Sequence, residues 1–216
     1  MTDSSTNDMT DTSFAETPPP ELPVYPGIAR QNVCVVSGDA DAQEALQHLS
    51  AAAVIGFDTE TKPVFQKGQK SGGPHLIQLA TGSRAFLFPV VQPQYQDVLK
   101  AILEAPAILK VGFGLSDDIR YIRSKFGFTV TPVLDLARAL RRDKQHEMGA
   151  KAAVEKYFGQ YLQKSKKIST SNWAQTPLQE RQILYAANDA QVALLVYLRW
   201  RELEQQRNGT TTATVA

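Results

Sequence analysis

The 216-residue chain carries 23 basic and 22 acidic side chains, so its formal net charge of +1 excludes a global electrostatic attraction to nucleic acid or membranes. Its length fits one domain with a sizeable core, or at most two small domains. The single cysteine, Cys34, excludes an internal disulfide and fits a reducing compartment.

The sequence contains no obvious membrane or export segment. No stretch reaches the roughly 20 apolar residues that a membrane-spanning helix needs. The first residues, 1–5, lack the basic and apolar regions of a signal peptide. We therefore expect a soluble, cytoplasmic protein that does not bind membranes.

Both ends of the chain have the composition of tails. Residues 1–24 are rich in Ser, Thr, Asp and Pro, and they cannot bury enough apolar surface to offset their ordering entropy. This predicts a disordered tail at 1–24. Residues 209–216 are predicted to be a short flexible tail. A single domain is expected between them, over residues 25–208.

Within this domain the hydrophobic periodicity predicts strands and helices in alternation. Ala42, Ala45 and Leu49 recur at helical spacing, and Gly82 lies between two apolar runs as in a β-hairpin. Strands are predicted at 33–36, 54–60, 75–80, 84–88, 108–113 and 133–136; helices are predicted at 39–52, 95–104 and 116–126, with a mostly helical remainder at 136–207. A hairpin followed by strand–helix alternation predicts an α/β fold with a mixed sheet flanked by helices.

Two carboxylates end the second predicted strand. Asp58 and Glu60 are two residues apart, so in a strand they point to the same face. Two anions at the edge of an apolar core repel each other, and a cation between them would relieve that repulsion. A solvated strand end whose acids face water is the alternative, and this stretch alone leaves both interpretations open.

A second acidic site opens the predicted helix 116–126. Asp117 and Asp118 follow Ser116, which the pattern predicts as the helix N-cap. The two acids could simply complement the helix dipole.

A third acidic site lies on an apolar helical stretch near the C-terminus. Tyr185 and Asp189 are four residues apart, so on a helix they share a face. A charge among apolar neighbours is costly unless it binds a metal or pairs with a cation, for which Arg120 and Arg199 are alternatives.

These three sites together favour a metal centre. Their carboxylates belong to Asp58, Glu60, Asp118 and Asp189, and carboxylate oxygens are hard ligands that suit Mg²⁺ or Mn²⁺. The three histidines are scattered singly, so no zinc cluster is expected. Two divalent ions about 4 Å apart suit in-line attack on a phosphodiester.

Three segments in this order carry a family resemblance: Phe57-Asp58-Thr59-Glu60; Val111-Gly112-Phe113-Gly114 with Asp118; and Tyr185-Ala186-Ala187-Asn188-Asp189. They resemble the three exonuclease motifs of the DEDD superfamily, in its tyrosine-bearing (DEDDy) branch. The resemblance covers residues from about 32 to 200. Flanking segments Leu76-Ile77-Gln78-Leu79 and Ser171-Asn172-Trp173 make the chain similar, more narrowly, to exonuclease domains of the Werner-syndrome type.

This resemblance implies a ribonuclease-H-like sheet and 3′→5′ removal of nucleotides from a single-stranded or recessed nucleic-acid 3′ end, with two ions, Mg²⁺ or Mn²⁺, per site. Asp58, Glu60 and Asp189 would hold the catalytic ion, and Asp58 with Asp118 the second. Asp118 is preferred over Asp117 because of its distance from the glycine-bearing strand end. Tyr185 would orient the attacking water.

Several further residues are predicted to bind substrate. Lys164, Lys166 and Lys167 precede the Trp173 segment and could contact phosphates, although such a run also fits a solvated face. Thr59 and Lys62, beside the first acid pair, are the other substrate-binding candidates.

The sequence leaves the substrate open between two enzyme classes. DNA is favoured, because the chain has no room for the accessory C-terminal helical domains of ribonuclease D-type RNA-trimming enzymes. An RNA-trimming exonuclease and an inactive nucleic-acid-binding relative are the alternatives. The oligomeric state also stays open.

Overall fold

The computed structural model describes residues 21–64, 68, 71–90, 95–141, 143 and 146–212, with the backbone alone for 209–212. These residues form a six-stranded sheet and seven α-helices. The strands are β1 (Val33–Val35), β2 (Val54–Glu60), β3 (Leu76–Ala80), β4 (Ala85–Pro89), β5 (Leu109–Gly112) and β6 (Val133–Asp135). The helices are α1 (Asp39–Ser50), α2 (Gln96–Leu103), α3 (Ser116–Phe126), α4 (Leu136–Ala139), α5 (Ala150–Phe158), α6 (Lys166–Ser169) and α7 (Glu180–Thr212).

The sheet is mixed, in the order β1-β4-β3-β2-β5-β6. The hairpin strand β3 runs antiparallel to its neighbours β2 and β4, whereas β1 pairs with β4, β2 with β5, and β5 with β6 in parallel. The predicted α/β class with a mixed sheet flanked by helices is confirmed. All strands except β3 run in the same direction, so the carboxyl end of β2 lies at the same edge of the sheet as those of β1, β4, β5 and β6, and the first acid pair lies at this edge.

One face of the sheet packs against α1, α2 and α3. Alternate residues along each strand share a face. Ile77, Leu79, Phe86 and Phe88 accordingly enter this core together with apolar residues of the three helices. This layer buries the largest side chains of the hairpin.

The opposite face packs against α7, and several of the contacting residues are small. Ala80 and Ala85 of the hairpin lie against Ala186, Ala187 and Ala190 of the helix. Small side chains on both sides let the helix approach the sheet closely, which brings the polar residues of α7 near the strand ends.

Gly56 in β2 determines how closely α7 can lie. A Cβ atom at this position would stand 1.8 Å from the backbone carbonyl oxygen of Ala190. No side chain fits in that gap, so only glycine allows this contact. Because Asp189 precedes Ala190, the same contact sets the height of Asp189 above β2.

The predicted tails, 1–24 and 209–216, each overlap with residues that the structure describes. Residues 1–20 of the predicted N-terminal tail lie outside the described residues, but Val24 forms a parallel bridge with Tyr161. α7 continues to Thr212, four residues beyond the predicted boundary at 208. An anchored helix propagates at little cost, since each added residue gains one backbone hydrogen bond, and this carries it past Gly209.

Among the described residues, no helix combines the length and the apolar character needed to cross a bilayer.

Candidate active site

Three carboxylates from distant parts of the chain converge at the carboxyl end of β2. Asp58 and Glu60 leave the same face of the strand, and Asp189 reaches them from α7. One oxygen from each lies within 4.8 Å of the others. The predicted convergence of the first and third acidic sites is therefore present in the structure.

Asp118 approaches this cluster from α3. Its carboxylate accepts a hydrogen bond from the hydroxyl of Thr59, the residue between the two acids of β2. Asp117, its neighbour, is exposed and pairs with Arg120 at 2.9 Å. Of the two aspartates, Asp118 is the one whose charge acts on Asp58 and Glu60, although it is not among the three acids whose oxygens meet within 4.8 Å.

The start of α3 is fixed by a residue that the local sequence does not indicate. Ser116 was predicted as the N-cap, but the cap position is Leu115 and no side chain caps from it. The carboxylate of Asp135, at the end of β6, instead accepts hydrogen bonds from the backbone amides of Gly114 and Leu115, at 2.9 and 3.1 Å. The acceptor comes from a neighbouring parallel strand, so local sequence spacing could not reveal it.

Lys164 supplies a positive charge inside the cluster. Its Nζ lies 2.9 Å from Oδ2 of Asp189, and the two side chains are 28% and 6% exposed. The same ammonium group stands 5.6 Å from the centre of the Tyr185 ring. The arginines considered as partners of Asp189 are engaged elsewhere, Arg120 with Asp117 and Arg199 with Glu202.

Tyr185 lies beside Asp189 on α7, one helical turn earlier, as its spacing predicted. Its ring packs at 6.1 Å from that of Trp173, which is buried and donates its indole N–H to the Ser169 carbonyl oxygen. Burial, with a contribution from the Asp189 carboxylate, raises the pKa of Tyr185 to about 12. The phenol therefore stays protonated at neutral pH and can act as a hydrogen-bond donor.

The carboxylates carry raised pKa values because they are buried together. Burial, then the charge of Asp189, raises the pKa of Asp58 well above its ordinary value. Burial and the neighbouring Asp58 raise the pKa of Glu60 to about 9. Burial also raises the pKa of Asp189, against the opposing effect of the Lys164 ammonium group. Crowded acids of this kind bind protons strongly, or bind a cation in their place.

The chemistry of the donor set fits a divalent metal ion. All three converging ligands are carboxylate oxygens, and Asp118 adds a fourth acid nearby. Oxygen-only ligation suits Mg²⁺ or Mn²⁺ rather than zinc. Among the described residues, Asp58, Glu60 and Asp189 are the group that could hold an ion.

The other predicted substrate-binding residues differ in whether they contact the acids of this cluster. Lys166 and Lys167 are exposed on α6, and Lys62 is exposed just beyond β2. The Thr59 hydroxyl is engaged with Asp118. Their roles in substrate binding stay predictions, whereas Lys164 is the one of the three clustered lysines that contacts an acid of the site.

Two residues that matter for the geometry have no role predicted from the sequence. Gly56 allows α7 to reach β2, and Gln78 stands opposite Asp58 in the β2–β3 ladder. The signal for Gln78 was its polarity in an otherwise apolar strand, Leu76–Ala80. Gly56 carried no local signal, because the clash that it avoids is with a residue far along the chain.

A mixed sheet of this order, with acids converging at the end of a central strand, defines the class of ribonuclease-H-like nucleases. The model of a family described as 3′-5′ exonuclease matches residues 33–203. The chain therefore belongs to the 3′-5′ exonuclease family, of the DEDD type, as the sequence motifs predicted. Nucleic acid is the partner class of this family.

The chain is similar to individual members of this family. It is 28% identical over 159 residues to the mouse bifunctional 3′-5′ exonuclease/ATP-dependent helicase WRN, covering 72% of this chain and 11% of that protein. The predicted resemblance to Werner-type exonuclease domains is thereby confirmed. Because the chain spans so little of the mouse protein, the likeness concerns one domain of it.

Solved structures show the same fold. The Nibbler EXO domain of Aedes aegypti superposes with a TM-score of 0.70 at 26% identity, covering 88% of this chain and 98% of the mosquito chain. RNase D of Escherichia coli, an exoribonuclease involved in structured RNA processing, superposes with a TM-score of 0.64 at 29% identity, covering 82% of this chain and 46% of the bacterial one.

Proposed function

We propose that this domain is a two-metal-ion 3′→5′ exonuclease that hydrolyses phosphodiester bonds at single-stranded or recessed 3′ ends, with DNA as its preferred substrate. The observation that carries the proposal is the convergence of Asp58, Glu60 and Asp189 within 4.8 Å. An exposed acid pair would not need a third carboxylate brought from a helix 129 residues further along the chain.

Each acid has a proposed role in holding the ions. Asp58, Glu60 and Asp189 would hold one Mg²⁺ or Mn²⁺, and Asp58 with Asp118 would hold the second. Ions held there would neutralise phosphate charge and lower the pKa of an attacking water. The Thr59 hydroxyl, through its hydrogen bond, fixes the orientation of the Asp118 carboxylate.

Tyr185 is proposed to position the water. With its pKa raised to about 12, the phenol does not remove a proton near neutral pH. A protonated phenol can, however, hold a water molecule in line with the phosphorus atom through a hydrogen bond. The Trp173 ring beside it restricts the orientation of the phenol.

Lys164 is proposed to contact the scissile phosphate. Its ammonium group already lies among the acids, 2.9 Å from Asp189, so a phosphate that enters the site meets it directly. Lys62, Lys166 and Lys167 would contact phosphates further along the strand, where exposed lysines give salt-dependent attraction.

A matched set of variants tests the function. Asp58→Asn, Asp118→Asn and Asp189→Asn remove one charge each at constant size, and Asp117→Asn does the same at the exposed neighbour. With 5′-labelled DNA and Mn²⁺, we expect wild type and Asp117→Asn to produce a ladder that shortens from the 3′ end, and the other three to produce none. Full activity in Asp58→Asn with a normal melting temperature would contradict the proposal.

The likeness to RNase D supports RNA as the second candidate substrate. A protein distinguishes RNA from DNA by a contact to the 2′-hydroxyl. DNA and RNA oligonucleotides of one sequence, digested in parallel, decide between them: a higher kcat/KM on RNA would replace DNA in the proposal.

A further inference from the structure

Gln78 is a buried polar residue at the floor of the candidate site. It lies in the middle of β3, its side chain is fully buried, and in the register of the sheet it stands directly opposite Asp58. Residues directly opposite each other in an antiparallel pair project to the same face, with Cβ atoms about 5 Å apart. The Gln78 side chain therefore leaves the sheet beside the Asp58 carboxylate, under α7.

Both polar atoms of the Gln78 amide are unpaired. Among the described residues, the buried side-chain atoms with no hydrogen-bond partner are Nε2 and Oε1 of Gln78 and Nε of Arg84. Arg84 at least keeps an ion pair with Glu44, whereas neither end of the Gln78 amide is satisfied. A buried amide without partners costs stability, so a purely structural role would be better served by Leu or Met.

The register of the sheet places one polar residue, Asp58, directly beside Gln78. Its neighbours along and across the hairpin, Leu76, Ala80 and Leu87, are apolar and buried. On the β2 side the neighbour is Asp58, whose carboxylate has two oxygens and several lone pairs. An amide N–H is a donor that a carboxylate can accept.

We propose that Gln78 is a positioning residue for the metal site: its amide Nε2 donates a hydrogen bond to the Asp58 carboxylate when that group holds a divalent ion. This inference rests on the proposed function, because it needs Asp58 as a ligand. A carboxylate that binds an ion through one oxygen is fixed in orientation by a donor on the other, and loss of such a donor costs about 10- to 100-fold in metal affinity.

The chain offers a matched control in Gln191. It is also buried, but its amide Nε2 is paired, donating to the Gly82 carbonyl oxygen at 3.0 Å in the β3–β4 turn. The same replacement, Gln→Met, therefore has opposite consequences at the two positions. At position 191 the replacement removes an existing hydrogen bond, whereas at position 78 it removes a buried amide that has no hydrogen-bond partner.

The experiment measures Mn²⁺ binding to the full chain by calorimetry, without nucleic acid and after EDTA treatment, beside the melting temperature. We expect Gln78→Met to keep or raise the melting temperature and to bind Mn²⁺ about tenfold more weakly. We expect Gln191→Met to melt lower and to bind Mn²⁺ as wild type does. Wild-type Mn²⁺ affinity in Gln78→Met would overturn the inference.

Two further measurements separate the possible failures. Asp58→Asn should lose Mn²⁺ binding; if it binds normally, the proposed function fails, whereas normal binding by Gln78→Met alone removes only the positioning role. If Gln78→Met does not fold, the side-chain amide resonances of wild-type Gln78 are followed by NMR on addition of Mg²⁺. They should shift while those of Gln191 do not, and an unmoved Gln78 amide would overturn the inference.

Discussion

Replacing Lys164 by Met should tighten the binding of divalent ions while it slows the reaction. Lys164 holds Asp189, a proposed ion ligand, through a contact of 2.9 Å between Nζ and Oδ2. An ion that binds Asp189 competes with this ammonium group for the same oxygen. Met keeps an apolar side chain of similar length but removes the competing charge.

The size of the effect follows from the contact. At 2.9 Å and an effective dielectric constant of about 20, two unit charges attract by about 6 kcal/mol. The released ammonium group regains hydration, since it is already 28% exposed, so only part of this attraction opposes the ion. If about 1.4 to 2.8 kcal/mol of the attraction remains, the low end of the range for close charge pairs, the dissociation constant changes by about 10- to 100-fold.

Calorimetric titration of Mn²⁺ into the EDTA-treated protein, without nucleic acid, measures this change. A pH of about 8.5 limits the competition of protons for the carboxylates, whose pKa values are raised. Lys166→Met is the control, because it removes the same charge from the exposed helix α6. The dissociation constant should fall about 10-fold or more for Lys164→Met alone, while kcat on DNA also falls. Equal shifts in both variants, or none in Lys164→Met, would refute the reasoning.

Three other predictions follow from the geometry. Tyr185→Phe should lower the rate constant of hydrolysis about 100-fold and leave Mn²⁺ affinity unchanged, because the phenol positions the water and does not hold the ions. An equal rate constant in single-turnover assays would contradict this. Gly56→Ala should lower the free energy of unfolding, measured in urea, by about 3 kcal/mol, since its Cβ would stand 1.8 Å from a backbone oxygen. Gly82→Ala is the control: no atom lies within 4 Å of the new Cβ, so its free energy of unfolding should stay near that of wild type. The metal-free protein should lose stability as pH rises from about 5 to about 9: Glu60 has a folded pKa of about 9 against an ordinary 4.5, so the folded state binds more protons in that window. Urea unfolding in EDTA at a series of pH values measures how steeply the free energy of unfolding falls with pH. Glu60→Gln should make this slope shallower. A slope that the substitution leaves unchanged would count against the raised pKa of Glu60.

The sequence by itself determined where the main strands and helices lie and which polar side chains share a face on them. Alternation and helical spacing predicted β2 at 54–60 and α3 at 116–126, and both have these bounds in the structure. The spacing of Asp58 and Glu60 placed two acids on one face of a strand, and that of Tyr185 and Asp189 placed two polar groups on one face of a helix. These relations are local, because the strand and helix repeats alone fix them.

Only the tertiary structure decided how these groups meet. Lys164 rather than an arginine pairs with Asp189, and the Asp135 carboxylate rather than Ser116 accepts hydrogen bonds from the amides at the start of α3. Gly56 admits α7 to the sheet, and Gln78 is left unpaired beneath it. These outcomes depend on close approach between segments far apart in the chain. Steric exclusion and burial act on atoms that are neighbours in space. The periodicity of the sequence does not indicate which distant segments become such neighbours.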